Sequence, residues 1–207
     1  MFAPVDLVKL HQENPRTTSK TPLEHQKDAF ETFSALFTFT DQEHKAGILV
    51  LPTGAGKTYT SVNWICRNVL GKQAKVLCLA HTGHLLDQAY ETFQSNTLSV
   101  PPRRRHVNIR VVLSDSEHSN ASEIETSDDI LIITTQTAIS NTEPAALDEA
   151  GRPRKTAFER FLEHSRTTRL FVVLDEAHHA PAFGCRNLLI GGSRFTGACL
   201  ASPYLGS

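Results

Sequence analysis

The segment Gly47-Ile48-Leu49-Val50-Leu51-Pro52-Thr53-Gly54-Ala55-Gly56-Lys57-Thr58 decides the fold of this chain. Its first residues have the composition of a short buried strand, and the apolar residues after Lys57 recur with helical spacing as far as Leu70. Two glycines lie in the turn between them. Because glycine adopts positive φ at little cost, such a turn brings backbone N–H groups together at a helix start, where anions are stabilised. The segment therefore predicts a strand, a phosphate-binding loop and a helix.

The residue types in this loop suit a nucleoside triphosphate bound with Mg²⁺. Backbone groups of Thr53, Gly54, Ala55 and Gly56 would surround the phosphates. Lys57 would reach the β- and γ-phosphates, and the Thr58 hydroxyl would ligate Mg²⁺. The general pattern G-x-x-x-x-G-K-T is not complete, since Leu51 stands at the position of its first glycine. The alternative is a glycine-rich turn that only caps a helix.

A second candidate lies at the end of the apolar run Leu170–Leu174, where Asp175 and Glu176 follow directly. Asp175 would hold Mg²⁺ through water, and Glu176 would orient and deprotonate the attacking water. The alternative is a strand that runs into an acidic helix start, where carboxylates are favourable anyway. His178 and His179 come next, but no Cys or His partner lies at zinc-ligand spacing, so a metal site there is not expected.

Short apolar strands alternate with amphipathic helices along the rest of the chain. Strand-like runs cover Lys75–Ala80, Val107–Leu113 and Ile130–Thr134. Residues 21–24 and 156–159 each form a capping box that opens a helix, and Pro22 stands at the first helical position of the earlier one. This alternation predicts an α/β fold with a mostly parallel sheet and helices on both faces. Because ligands bind beyond the carboxyl ends of parallel strands, both candidate motifs should lie at one edge of the sheet.

The bulk composition restricts the class of protein. The 207 residues carry a formal net charge of -1, with 40% hydrophobic and 21% charged residues, so a normal core is expected. The protein is not strongly basic, and any nucleic-acid contact must come from local Lys and Arg. Its four cysteines include no Cys-x-x-Cys pair, and the N-terminus does not have the pattern of a signal peptide. We therefore expect a reduced, cytoplasmic protein without membrane spans.

Residues 51–58 (LPTGAGKT) and 175–179 (DEAHH) resemble motifs I and II of the second helicase superfamily, as found in type I and III restriction-enzyme motor subunits and excision-repair helicases. Residues 79–88 (LAHTGHLLDQ) resemble the motif Ia segment of these proteins, with Thr82 in place of the usual arginine. Residues 132–137 (IITTQT) resemble motif Ic. The resemblance implies a RecA-like P-loop lobe that binds ATP and Mg²⁺ and drives a nucleic-acid-dependent motor, in which Lys57, Asp175 and Glu176 are catalytic.

The resemblance also assigns roles outside the two main motifs. Gln26 matches the upstream glutamine that hydrogen-bonds adenine, although a polar residue at the border of an apolar helix face is the alternative. Four residues would contact the nucleic-acid backbone, with ordinary strand-end capping as the alternative for each: His81, Thr82, Thr135 and Gln136. The resemblance to restriction and repair motors favours DNA as the bound nucleic acid, with RNA as the alternative. The basic run 101–106 is either a phosphate-binding loop or a solvated turn.

The resemblance divides the chain into an irregular lead-in at 1–20, a helicase ATP-binding lobe at 21–180 and an incomplete or poorly ordered segment at 181–207. Motors of this family have a second RecA-like lobe, which supplies an arginine finger to the transition state. Here Gly197–Pro203 does not match the expected coupling motif III. Whether the sheet of this lobe contains its last strand is left open by the sequence. We expect the lobe to need a second lobe or a partner chain for rapid turnover. The alternative is a nucleotide- or nucleic-acid-binding module that does not hydrolyse ATP.

Overall fold

The computed structural model describes residues 1–13, 21–37, 46–52, 54–72, 74–101, 104–113, 117–142 and 154–174, and the backbone of 196–201. These residues form one seven-stranded sheet with the strand order β1-β4-β5-β3-β6-β7-β2. The strands are β1 (Phe2–Asp6), β2 (Ala46–Val50), β3 (Lys75–Ala80), β4 (His106–Val112), β5 (Ile130–Thr134), β6 (Leu170–Leu174) and β7 (Thr196–Ala201). All neighbours are parallel except β1, which pairs antiparallel with β4. The predicted mostly parallel sheet is confirmed.

Helices cover both faces of the sheet, as predicted. They are α1 (Leu7–Glu13), α2 (Glu24–Leu36), α3 (Lys57–Asn68), α4 (Gly83–Asn96), α5 (Thr135–Ser140) and α6 (Ala157–Thr168). Residues of β3 alternate between the two layers: Val76 and Cys78 pack in the core with α1 to α4, and Leu77 and Leu79 pack in the core with α5 and α6. Such strands are buried on both faces, which explains their continuous apolar runs.

The largest side chains of the first core belong to an aromatic cluster that joins two helices to the sheet. Trp64 of α3 lies 5.4 Å from Phe33, 5.7 Å from Phe37 and 5.7 Å from Phe171 of β6, centroid to centroid. Its indole nitrogen donates to Ser34 Oγ at 2.9 Å, so the buried ring keeps a partner for its N–H. The cluster fixes α2 and α3 over the sheet, and these two helices carry the candidate site.

The first thirteen residues are regular, which corrects the prediction of an irregular lead-in over 1–20. Strand β1 pairs with β4 in a register that sets Phe2 opposite Arg110, and the Phe2 ring lies 4.6 Å from the Arg110 guanidinium carbon. Pro4 is compatible with this strand because β1 lies at the edge of the sheet. Leu7 then starts α1 and is buried. A single edge strand without clean alternation has no recognisable sequence pattern, so tertiary pairing decided its structure.

Helix α2 begins later than the sequence indicated. The predicted capping box placed its start at Thr21 with Pro22 in the first turn, but the N-cap is Leu23. The side-chain oxygen of Gln26 accepts the Leu23 N–H at 3.0 Å, so half of a capping box forms from a residue that was predicted for another role. The predicted box of α6 is confirmed, since Thr156 Oγ1 accepts the Glu159 N–H at 3.1 Å and Glu159 accepts the Thr156 N–H at 2.8 Å.

Two further segments differ from the sequence-based expectations. Residues 135–140, which follow β5, form the short helix α5, capped by Thr134 Oγ1 accepting the Thr137 N–H at 3.1 Å. Thr196–Ala201 forms β7 between β6 and β2, so this part of the segment predicted as incomplete belongs to the sheet. Strand β2 is the edge strand of the sheet as described.

The loop before β5 is held in place by buried charged groups. Asp128 is fully buried, and its carboxylate accepts Arg110 Nε at 2.7 Å and the Glu125 N–H at 2.8 Å. Arg104, from the basic run, forms an ion pair with Asp129 and donates to the Leu70 carbonyl at 3.0 Å. The Arg104 side chain therefore stabilises the fold. This role differs from both predictions for the run 101–106, which were a phosphate-binding loop and a solvated turn.

Burial raises the pKa of Cys66 to about 12, so its thiol is not ionised near neutral pH. Within the described ranges, no helix has both the length and the apolar character needed to cross a membrane.

Candidate nucleotide-binding site

Residues 51–58, which we call the phosphate loop, connect edge strand β2 to helix α3. Gly54 and Gly56 both have φ of +80°, and Gly56 is the N-cap of α3. The Ala55 N–H donates to the Pro52 carbonyl at 3.1 Å, and the Thr60 N–H donates to the Gly56 carbonyl at 2.8 Å. The loop therefore turns through two left-handed residues and enters the helix at Lys57, as the sequence predicted. Thr53 lies outside the described residues.

The two glycines have different surroundings. A Cβ atom at Gly54 would have no heavy atom within 4 Å, whereas a Cβ at Gly56 would lie 2.8 Å from Gln26 Nε2. Positive φ disfavours any L side chain at both positions. Only at Gly56 would a new Cβ also have to displace a neighbouring group, the side-chain amide of Gln26. The loop is thus packed against α2 at Gly56 and open at Gly54.

The first turn of α3 presents the two predicted side chains. Lys57 and Thr58 are both half-buried. An α-helix leaves its first N–H groups without intrahelical acceptors and has a partial positive charge at this end. The hydroxyls of the next turn point into the helix, since Thr60 Oγ1 donates to the Gly56 carbonyl at 2.8 Å and Ser61 Oγ to the Lys57 carbonyl at 3.0 Å. The helix start thus combines backbone donors, an ammonium group and one hydroxyl at Thr58.

Two adjacent side chains of α2 hold the phosphate loop. Gln26 is buried, and its Nε2 donates to the Ala55 carbonyl at 3.3 Å. His25 is exposed, and its Nε2 lies 3.1 Å from the same oxygen. Gln26 therefore lies beside the phosphate loop and stabilises it, and its predicted contact with adenine stays a prediction. His25 was missed by the sequence analysis, and its only signal was its place next to Gln26 in the first turn of a helix.

The carboxylates of the second motif lie outside the described residues, so Asp175 and Glu176 remain predictions, as do His178 and His179. The residue before them is described: Leu174 ends β6 in register with Leu79 of β3 and Cys199 of β7. Strand β7 lies between β6 and β2. Neighbouring strands are about 4.8 Å apart, so β6 ends roughly 10 Å to the side of the strand that carries the phosphate loop. Strands β6 and β2 run parallel through β7, so both end at the same edge of the sheet.

The four predicted nucleic-acid contacts follow the adjacent strands β3 and β5 at this edge. Ala80 and Thr134 are register partners, so His81 and Thr135 leave the sheet side by side. The Thr135 hydroxyl donates to the Ala80 carbonyl at 3.3 Å, which joins the two strand ends. Thr82 is the N-cap of α4, yet its side chain makes no capping hydrogen bond. The structure brings these residues together, and strand-end capping does not account for Thr82.

His81, Thr82 and Gln136 are exposed, and Thr135 is half-buried. A hydrogen bond near this edge joins α4 to the segment after β4, with His118 Nε2 at 2.8 Å from Asp87 Oδ1. Within the described part of the chain, no three His, Cys, Asp or Glu side chains converge as a metal site would require.

The fold is shared with known nucleic-acid motors. The UvsW helicase from bacteriophage T4 aligns at a TM-score of 0.57 with 15% identity, over 96% of this chain and 60% of that one. The Hef helicase domain from Pyrococcus furiosus aligns at 0.55 with 20% identity, over 90% and 34%. The SWI2/SNF2 ATPase core from Sulfolobus solfataricus, solved in complex with dsDNA, aligns at 0.53 with 13% identity, over 89% and 32%. The chain therefore spans from about a third to 60% of these proteins.

A search of curated proteins found no match. The family model described as "Type III restriction enzyme, res subunit" matches residues 19–192, which is most of the chain. The matched range includes the phosphate loop, the ends of β3 and β5, and the predicted acidic residues Asp175 and Glu176. The chain therefore belongs to the family of type III restriction enzyme res subunits and has the fold of the N-terminal RecA-like lobe of a superfamily-two helicase.

Proposed function

We propose that this chain binds ATP with Mg²⁺ and acts as the first motor lobe of a DEAH-type, DNA-directed ATPase. One observation carries the proposal: two glycines at φ +80° turn the chain from β2 directly into α3, whose first residue is Lys57. Backbone N–H groups and a lysine at a helix N-terminus are suited to a phosphate chain. Glycine suits this turn because both residues have positive φ, and at Gly56 the Gln26 amide also lies 2.8 Å from where a Cβ would be.

We assign the described residues to the parts of the nucleotide that each would contact. Lys57 would contact the β- and γ-phosphates as a charge-assisted donor, and the half-buried Thr58 hydroxyl would ligate Mg²⁺. Gln26 would contact adenine with its remaining donor and acceptor capacity, because its two bonds to Leu23 and Ala55 leave one N–H and one lone pair. Bound Mg²⁺ would neutralise charge that develops on the phosphates during transfer.

For hydrolysis, we assign Asp175 to Mg²⁺ and Glu176 to the attacking water. The support is their position in the chain immediately after Leu174, at the edge of the sheet where the phosphate loop begins. Phosphoryl transfer depends mainly on positioning and charge stabilisation, so a carboxylate that orients water is the expected contribution of the protein.

A nucleic acid would run along the ends of β3 and β5. His81, Thr82, Thr135 and Gln136 would hold its backbone through hydroxyl, amide and imidazole groups, which give grip without sequence readout. The complex of the SWI2/SNF2 relative with dsDNA favours DNA as the partner.

Rapid turnover would need an arginine from a second RecA-like lobe or a partner chain, since such groups contribute roughly 10³–10⁵ in rate. We therefore expect ATP binding with slow hydrolysis and no duplex unwinding by this chain alone. A lobe that binds without any hydrolysis is the second candidate.

The test is ATP binding and hydrolysis with and without single- and double-stranded DNA and RNA. Lys57→Ala should weaken ATP–Mg²⁺ binding roughly 10- to 100-fold, because it removes charge-assisted hydrogen bonds. Lys9→Ala is the matched control, since Lys9 is exposed on α1. Equal affinities of the two variants would refute the assignment of the phosphate loop.

Glu176→Gln separates binding from chemistry. It should retain ATP affinity and lose the slow hydrolysis of the wild type. Undetectable wild-type hydrolysis, also in the presence of a second lobe supplied in trans, would favour the binding module. Strong stimulation by DNA but not RNA would establish the polymer.

A further inference from the structure

We propose that His25 is a positioning residue of the phosphate loop, whose imidazole fixes the Ala55 carbonyl and so aims the Gly56 N–H at bound phosphate. The identity of the ligand, a nucleoside di- or triphosphate, rests on the function proposed above. The contribution of His25 to the shape of the loop does not.

Two donors from α2 converge on the Ala55 oxygen. His25 Nε2 lies 3.1 Å and Gln26 Nε2 lies 3.3 Å from it. A carbonyl oxygen only accepts hydrogen bonds, so the ring nitrogen of His25 must carry a hydrogen in this contact. Together the two donors use both lone pairs of the oxygen. The Ala55 carbonyl is thereby directed toward the first turn of α2.

The orientation of this carbonyl determines the direction of the next N–H group. The chain has no cis peptide among the described residues, and a trans peptide is planar with its C=O and N–H pointing in opposite directions. The Gly56 N–H therefore points away from α2. On the other side of Ala55, its own N–H is held by the Pro52 carbonyl at 3.1 Å. Both peptide planes that flank Ala55 are thus fixed before a ligand arrives.

His25 and Gln26 differ in what else they support. Gln26 is buried and also accepts the Leu23 N–H, so its replacement would disturb the start of α2. His25 is exposed, and its hydrogen bond in the described part of the chain is the one to Ala55. A change at His25 therefore tests the orientation of the loop with little effect on the helix.

The variants are His25→Phe, which keeps a ring without a donor, and His25→Gln, which places an amide N–H near the position of Nε2. His164→Phe, at an exposed histidine of α6, is the matched control. His25→Phe should bind ADP about three- to tenfold more weakly, as expected for the loss of one net hydrogen bond. His25→Gln and His164→Phe should remain within about twofold of the wild type. All thermal midpoints should agree.

Amide hydrogen exchange of Ala55 without nucleotide separates this inference from the proposed function, because the Ala55 N–H is held by the Pro52 carbonyl at 3.1 Å in the same turn. Faster exchange in His25→Phe, restored in His25→Gln, supports positioning even if the wild type fails to bind ADP, a result that would refute the nucleotide site alone. Unchanged exchange in His25→Phe, or equal loss of ADP affinity in both His25 variants, would overturn the positioning role.

Discussion

The strands of the parallel sheet begin at one border, which we call the amino edge, and end at the opposite border, which we call the carboxyl edge. These two edges use charged and polar groups in opposite ways. At the amino edge, where β3 and β5 begin, Lys75 donates to the Thr126 carbonyl at 2.6 Å and to the Asp128 carbonyl at 2.5 Å, and Arg110 pairs with buried Asp128 at 2.7 Å. At the carboxyl edge, the phosphate loop turns through Gly54 and Gly56 and presents a helix start. Charged groups at the first edge bond to partners within the chain, and the second edge presents the first N–H groups of α3.

The comparison explains why similar chemistry has different consequences at the two edges. Buried ions are tolerated only when partners compensate their desolvation, so the amino edge is a structural lock on the loop before β5. Glycines lose more backbone entropy on folding than other residues, and the first N–H groups of a helix lack intrahelical acceptors, so a bound anion would stabilise the carboxyl edge. Substitutions at the amino edge should change folding, and substitutions at the carboxyl edge should change nucleotide binding.

The largest effect is expected at the amino edge. Asp128→Ala should lower the free energy of unfolding by about 3 kcal/mol, because it leaves Arg110 buried with only the distant Glu123 and Glu125 carboxylates, at 3.9 and 4.0 Å. Urea denaturation measures this change.

Glu125→Ala is the control for this prediction. Its side chain is 66% exposed, so the loss should stay below about 1 kcal/mol. The ADP affinity of folded Asp128→Ala should match that of the wild type. If the two variants lose the same stability, the buried pair is not the lock that we infer.

The next effect compares the two glycines of the phosphate loop. Gly56→Ala should weaken ADP binding by more than about tenfold, because the new Cβ adds a 2.8 Å clash with Gln26 to the cost of positive φ. Gly54→Ala has the same backbone conformation but open space around the new Cβ, and a loss of only a few fold is expected. Isothermal titration with Mg²⁺–ADP measures both. A greater loss at Gly54 would show that the approach to α2 does not shape the site.

The smallest effect concerns pH and the amino edge. Burial lowers the pKa of Lys75 from 10.5, against the opposing effect of Asp129 and Asp128. The unfolded chain therefore binds more protons than the folded chain between the lowered pKa and about 10.4, so stability contributed by this site rises with pH through that window. Relative to Lys75→Met, the wild type should gain stability from pH 7 to pH 10 in urea titrations. Against Lys9→Met, a variant at an exposed lysine, the wild type should show no such gain in stability between pH 7 and pH 10. A loss of stability relative to Lys75→Met over this range would contradict the derived sign.

Much of the fold follows from local patterns. The apolar run at Lys75–Ala80 is observed as β3 with the same bounds, and the capping box at Thr156 and Glu159 opens α6 as predicted. The turn from β2 into α3 was also predictable, because glycine suits the positive φ values at Gly54 and Gly56. Strand β1 and the start of α2 were not predictable. The first depends on pairing with β4, more than a hundred residues away, and the second on a glutamine that turns back to cap its own helix.

By itself, the sequence determined the strand–loop–helix unit at residues 46–68, the alternation of strands and helices, and the family resemblance, since these depend on neighbours in the chain. Only the tertiary structure decided that His25 and Gln26 meet at the Ala55 carbonyl, that His81 and Thr135 leave the sheet side by side, and that Asp128 is buried against Arg110. These contacts join residues that are 18 to 55 positions apart. Local propensity carries no information about such contacts, because they form only when the strands and helices pack together.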